Sequence, residues 1–357
     1  MEPHLRYEQD PTRHSRVPSP DSPGRSHRRD RSLARCAGRD PRRARRRSGG
    51  LCDRGSGPSP RAVAGDVTGR VIVKLGIVLA GVLNGRAPFE QVCAFARESG
   101  YGAVDVPASR SDGAEVARAH GLIPASAGGI PDLFVTDAAI RERHVEQAIA
   151  RIDVVAASGI ALAHIGHTRP EGADDDATLE YARAALIPVC AHAERAGVRL
   201  VIEHYHGRGR NFAIGPRNWR RLFAAVPSPA LGLCFDPSHL IVLGIDYLRA
   251  LREFRDRVYY AHAKDTEVIP EGIYEGGYSG PAFGQRAIGG ETGWWRYTLP
   301  GGGVVEWGRY LGTLREIGYD GVLAVEHEDD TFGWRDDVDR ALDGLRAAAR
   351  FLRPYVD

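Results

Sequence analysis

The sequence predicts an α/β fold, a (β/α)8 barrel of the TIM type, and three observations carry that expectation. Short, unalternating apolar runs recur along residues 71–357, as parallel strands covered on both faces require. Each run is followed by a longer stretch with helical spacing, and several of these stop at a Gly before the next run, as in SGYG (99–102) and IGYDG (317–321), the usual helix terminator. Eight such runs suit a closed barrel of about 250 residues. No G-x-G-x-x-G follows the first run, which argues against a dinucleotide-binding open sheet.

The expected strands, in order, are 71–79, 102–107, 122–126, 161–166, 198–203, 231–235, 258–262 and 322–326. Helices are expected between them. PFEQVCAFARES opens on Pro88, DGAEVARAH follows, and DAAIRERHVEQAIARIDVVAAS starts at an Asp137 cap. Further on come DATLEYARAALIPVCAHAERA, PRNWRRLFAAV, IDYLRALREF, EWGRYLGTLREI and WRDDVDRALDGLRAAARFL. One connection is abnormal. Residues 265–303 hold eleven Gly together with Tyr274, Tyr278, Phe283, Trp294, Trp295 and Tyr297, far beyond a βα loop of about 2–6 residues. A lid over the barrel mouth is the expected role, with Trp294 and Trp295 as stacking surfaces for substrate. An arm packing on a second copy of the chain is the rival.

Charge divides the chain. Residues 1–70 carry 17 Arg, no Lys and 8 acids, a net +9, whereas the remaining 287 carry 31 basic and 38 acidic residues, a net −7. The basic stretch is rich in Pro, Ser and Gly and lacks aliphatic periodicity, so a disordered tail (1–70) ahead of a barrel domain (71–357) is expected. Its run Arg42–Arg47 is a weak nucleic-acid signal without aromatics or a fold around it. Met1 is the only Met, so a natural start near Val71 is a further reading. An acidic barrel suits nucleic acid poorly. With no apolar leader core and no run of membrane-spanning length, a soluble cytoplasmic protein is expected. The Cys residues at 36, 52, 93, 190 and 234 have no metal or redox spacing, and the last three sit in apolar segments as buried thiols would.

Four successive strands end in a metal-type ligand: Glu203 after VRLVI, Asp236 after LGLCF, His262 after VYYA and Glu326 after VLAV. Ionisable groups closing apolar strands are costly unless paired or bound to a cation, and strand C-termini are the ligand end of such a barrel. Three carboxylates and one imidazole suit Mn²⁺ first, with Mg²⁺ or Co²⁺ as alternatives. Such a shell nets about −1 with a divalent ion, which favours hydroxyl and carbonyl donors over phosphate. A phosphate would lie further out, near Arg208, Arg210, Lys264, Arg286 or Arg296. His167 and His206, with His164 and His204, are candidates for the same mouth, each weighed against a purely structural role.

The motifs IEH (202–204), FDPSH (235–239), HAKD (262–265) and VEHED (325–329) resemble the sugar phosphate isomerase/epimerase group of xylose-isomerase-like TIM barrels. The resemblance implies one divalent metal on Glu203, Asp236, His262 and Glu326. It places His239 near the site through the D-x-x-H pair, and Lys264 where it can hold a substrate oxygen. It implies a small sugar or glycoside as substrate and proton transfer next to a carbonyl through a metal-bound enediolate. Glu203 and Glu326 would then approach from opposite sides of the barrel, with His239 as a third catalytic group. Lyases of the same superfamily compete: inosose dehydratase-like enzymes and C-glycoside deglycosidase catalytic subunits, the latter implying a second subunit where other members imply a homo-oligomer. A metal-free binding barrel and an apurinic endonuclease relative are weaker alternatives.

Overall fold

A computed structural model describes residues 73–79, 86–206, 210–279, 293–334 and 337–356. All of these belong to one compact unit, Gly65–Asp357. The tail expected over 1–70 lies outside the described residues.

The apolar runs become β1 (Lys74–Ile77), β2 (Ala103–Val106), β3 (Ile123–Ala127), β4 (Leu162–His164), β5 (Arg199–Glu203), β6 (Leu231–Phe235), β7 (Val258–Ala263) and β10 (Val322–Val325). They close into one parallel barrel in the order β1-β10-β7-β6-β5-β4-β3-β2. The helices between them include α1 (Phe89–Glu98), α2 (Gly113–Ala119), α3 (Ala138–Ala157), α4 (Asp175–Ala196), α5 (Pro216–Ala225), α6 (Pro237–Val242) and α7 (Tyr247–Glu253). Asp137 caps α3 as expected, its side chain accepting from the Ile140 N–H and satisfying one of the first-turn donors that have no partner inside the helix.

Two apolar layers follow from the strand period. One set of side chains packs outward under the helices, where Trp219, Tyr310 and Leu345 are buried. The other fills the barrel with Val78, Ala103, Ala125, Val201, Cys234, Tyr260 and Ala324. Small residues are needed inside: a Cβ on Gly76 would lie 2.6 Å from Val322 Cγ1. The described cysteines are buried and unpaired, and burial pushes the Cys190 and Cys234 thiols up to about 12. They are packing residues.

The long connection after β7 is more ordered at its base than Gly content implies. β8 (Asp265–Val268) and β9 (Trp295–Thr298) pair antiparallel, Asp265 with Thr298 and Val268 with Trp295, and α8 (Pro270–Gly276) follows β8. Asp265 pins this base, accepting from the N–H groups of Thr266, Gly301 and Val305 and from Trp307 Nε1. The Gly-rich middle, 280–292, lies outside the described residues. Two helices complete the barrel, α9 (Trp307–Glu316) before β10 and α10 (Val338–Val356) after it. Among the described residues no helix is long and apolar enough to cross a membrane.

Candidate metal centre

Register sets the heights of the ligands. Glu203 pairs with Cys234 and His262 with Ala324, so Asp236 and Glu326 stand two residues further up, each just past the end of its strand. Ligand atoms of Glu203, Asp236, His262 and Glu326 all lie within 4.8 Å of one another. His262 Nδ1 is 3.2 Å from Glu203 Oε1, 3.2 Å from Glu326 Oε2 and 3.8 Å from Asp236 Oδ2. Adjacent ligands around an octahedral ion with bonds near 2.1 Å sit about 3.0 Å apart, so the spacing fits a divalent ion. Asp236 adds a second sign. Its Oδ1 accepts from the Ser238 N–H at the start of α6, while its fully buried Oδ2 has no hydrogen-bond partner among the described residues.

Strand order sets the angle between the two glutamates. β5 and β10 stand three steps apart in the ring of eight, with β6 and β7 between them on one side, so Glu203 and Glu326 come from well-separated sides of the barrel, one step short of opposite, and both reach His262 Nδ1 at 3.2 Å.

His239 sits one turn past Asp236 on α6. Its Nε2 is 3.1 Å from Glu203 Oε1 and its Nδ1 is 2.7 Å from the Tyr297 hydroxyl. Nε2 also lies 3.3 Å from the Lys264 ammonium, so it faces a carboxylate and a cation at once. Lys264, buried and two residues past His262, places Nζ 2.5 Å from Glu326 Oε2, 2.8 Å from Glu328 Oε2 and 3.3 Å from Asp236 Oδ2. Burial alone would lower its pKa, but Glu326, Glu328 and Asp236 hold it well above the usual lysine value. Burial would likewise raise Glu203, yet His262, His239 and Lys264 bring it well below the carboxylate range. The site therefore keeps Glu203 ionised and Lys264 charged.

The other expected groups form an outer ring or back the site. His206 lies with its ring 6.3 Å from His239 and 5.7 Å from Trp295. Trp295 packs 4.8 Å from Tyr297, whereas Trp294 lies beyond it against Tyr278; both tryptophans are buried. His167 stands behind Glu203. One ring nitrogen bonds to the Glu203 carbonyl and the other accepts the Ala213 N–H, and burial lowers it to about 4. Both nitrogens are thus engaged by backbone. His204 is similar in kind, its Nε2 accepting the Asp236 N–H. Arg296 is tied to Glu267 and Asp329; Arg208 and Arg286 lie outside the described residues.

Sequence reasoning passed over Tyr297 and Glu328. Glu328 carried a usable signal, because it lies two residues past Glu326 just beyond the end of β10, as Lys264 lies two past His262 beyond β7, and Lys264 reaches both carboxylates. A cavity of about 550 Å³ lies at the far end of the barrel, lined by the strand starts Leu162, Arg199 and Val258. It lacks the ligand set and is separate from this centre.

The family model for the xylose isomerase-like TIM barrel matches residues 93–355. The chain belongs to that family. Among its curated relatives, an inosose dehydratase from Bacillus licheniformis is 30% identical over 167 residues, 46% of this chain and 49% of the relative. An inosose dehydratase from Lacticaseibacillus casei is 27% identical over 139 residues, 39% of this chain and 43% of the relative. The chain thus matches about half the length of these relatives. Among solved structures, an IOLI protein with a bound zinc atom superposes with a TM-score of 0.63 at 15% identity, covering 80% of this chain and 98% of that one. A D-psicose 3-epimerase from Clostridium cellulolyticum H10, solved with D-tagatose, gives 0.61 at 17% identity, covering 80% and 100%. At such identities these two speak for the fold of a xylose isomerase-like barrel and no more.

Proposed function

We propose that the chain is a divalent-metal-dependent sugar isomerase or epimerase that moves a proton at the carbon next to a carbonyl. The observation that carries this reading is the pair Glu203 and Glu326, set on two flanks of His262 and each 3.2 Å from its Nδ1. Mn²⁺ suits the oxygen-rich ligand set best, and such an ion, when bound, supplies the acidity that loosens the proton beside a chelated carbonyl.

The remaining work falls to the chain. One glutamate removes the proton, and Glu203 is suited to it because its neighbours hold it ionised. The other, protonated at the start of the cycle, returns its proton from the second flank, inverting the carbon and leaving the two glutamates with their protonation states exchanged. His239, bonded to Glu203, carries a proton between adjacent oxygens when the carbonyl migrates instead. The Lys264 ammonium stabilises negative charge on a substrate oxygen, and Trp295 and Tyr297 wall the site from water on one side.

The inosose dehydratases among the relatives favour a second reading. The first proton removal is the same, but a neighbouring hydroxyl then leaves, and Lys264, already paired with Glu328 at 2.8 Å, donates the proton it departs with. One experiment separates the two. The Mn²⁺-loaded protein is incubated in deuterated water with D-psicose, D-tagatose, D-fructose and an inosose, and products are read by NMR and mass spectrometry. Deuterium at the carbon next to the carbonyl with the hydroxyls retained supports the isomerase; loss of one water from the inosose supports the dehydratase. Turnover of a ketose with no deuterium uptake at that carbon would overturn the acid–base assignment.

A further inference from the structure

A second polar cluster lies inside the barrel, centred on β2, β3 and β4, which bear no metal ligand. Tyr260, from β7, crosses the interior and its hydroxyl meets Asp105 Oδ1 on β2 at 2.6 Å. Ser126 Oγ, on β3, donates to the same oxygen at 2.6 Å, and His164 Nε2, on β4, is 3.1 Å from that Oγ. His164 and His262 each stand edge-on to the Tyr260 ring at 5.6 Å, and the two imidazoles are 6.3 Å apart. The network therefore adjoins the metal centre through a shared floor.

These bonds tie β2 to β3, β3 to β4 and, across the interior, β2 to β7, in strands whose backbones already pair through β2, β3 and β4. At the neighbouring interior positions the barrel is filled by Val78, Ala103, Ala125 and Val201, so packing alone would be met by apolar side chains. A carboxylate in this interior is costly unless it is hydrogen-bonded, and Tyr260 and Ser126 supply those bonds. The bonding fixes a direction. Ser126 spends its only proton on Asp105, so towards His164 it can only accept, and the ring proton must sit on Nε2. Nδ1 is left as an acceptor. His164 is only partly buried, and among the described residues no hydrogen bond reaches Nδ1. An uncharged acceptor of this kind takes a hydroxyl and repels a phosphate or carboxylate oxygen.

We propose that His164, held by Ser126 and Asp105, is a hydroxyl-reading subsite that binds the non-reacting end of a polyhydroxylated substrate whose carbonyl end is held at Glu203, Asp236, His262 and Glu326. This rests on the metal-dependent sugar chemistry proposed above and adds the requirement of a substrate long enough to reach β4. Asp105 and Ser126 are positioning residues.

Isothermal titration of the Mn²⁺-loaded full chain with two probes tests it. Dihydroxyacetone offers only the chelating hydroxy-carbonyl, whereas D-fructose adds further hydroxyls. His164→Ala is expected to weaken D-fructose about tenfold, one hydrogen bond's worth, while Mn²⁺ and dihydroxyacetone affinities stay within about twofold. Ser126→Ala, which leaves the imidazole in place, is expected to weaken D-fructose by a smaller factor, and it carries the test if His164→Ala melts early. Equal loss for both probes, no loss for either, or lost Mn²⁺ affinity overturns the subsite while leaving the metal-dependent reading intact. A wild-type protein that binds neither probe in the presence of Mn²⁺ overturns that reading, and the subsite with it.

Discussion

Strands β5, β6, β7 and β10 bring Glu203, Asp236, His262, Lys264, Glu326 and Glu328 into the barrel mouth, four carboxylates within reach of one ammonium and one imidazole. Strands β2, β3 and β4 bring Asp105, Ser126 and His164, and there the single carboxylate is answered by two hydroxyls. The two halves solve the same problem, a buried negative charge, by different means. Where carboxylates crowd together, hydroxyls and backbone donors cannot offset their repulsion and a cation is needed. Where one stands alone, two hydroxyl hydrogen bonds oppose the burial that raises its pKa, and no second carboxylate adds to it. The crowded half is accordingly the place for metal chemistry, and the other half is the place for holding an uncharged group.

The largest effects should come from the crowded half. Glu203→Gln and Glu326→Gln each keep shape and remove a proton acceptor, and each is expected to lower turnover by about 10²–10⁴-fold, the usual contribution of a positioned acid or base. Asp236→Ala removes the oxygen that has no protein hydrogen-bond partner and should abolish metal retention in dialysed protein, read by elemental analysis, while circular dichroism still reports a folded barrel. If Asp236→Ala retained the ion as tightly as the unaltered chain, the contrast between the halves would lose its basis.

The same contrast governs how much could be read from the sequence. An Asp, Glu or His closing an apolar run contradicts its surroundings, and four such contradictions on successive strands made the metal ligands legible. The barrel was legible for the same reason that its strands are monotonous: both faces are covered. Asp105 gave no such signal, because in AVDV it passes for the polar residue of a half-exposed strand, and its partner Tyr260 is 155 residues away. Tyr297 was visible only as one aromatic in a Gly-rich stretch, since DTEV and WRYT are too short and too far apart to announce a hairpin. The fourth strand, expected over 161–166, ends at His164, although Ile165 N–H still bonds the Val201 carbonyl and His167 beyond it takes the Phe212 and Ala213 N–H groups.

A medium effect should come from the link between the long connection and the crowded half. Tyr297→Phe keeps the ring, which packs over the Lys264 ammonium at 4.6 Å, and removes only the hydroxyl bonded to His239 Nδ1 at 2.7 Å. Partners of this kind are worth about tenfold or more. Turnover should fall by about that factor with metal content unchanged, and Tyr297→Ala, which also loses the ring, should fall further. A Tyr297→Phe variant with unaltered kinetics would mean that β9 closes the site without orienting it.

The smallest effect should come from the other half, and should appear as stability. Tyr260→Phe leaves the interior filled, so no cavity opens, but it takes from Asp105 one of two donors to a carboxyl whose pKa burial already raises. Ser126 remains, as does the nearby His164. Losing a hydrogen bond to a buried carboxylate costs about 1.5–3 kcal/mol, and urea denaturation should report a shift of that size with the slope of the transition unchanged. Metal content should hold, because His262 touches the Tyr260 ring and not its hydroxyl. Should the same substitution instead strip the metal while leaving stability alone, Asp105 would belong electrically to the crowded half, and the division between cation-balanced and hydroxyl-balanced charge would have to be redrawn through Tyr260.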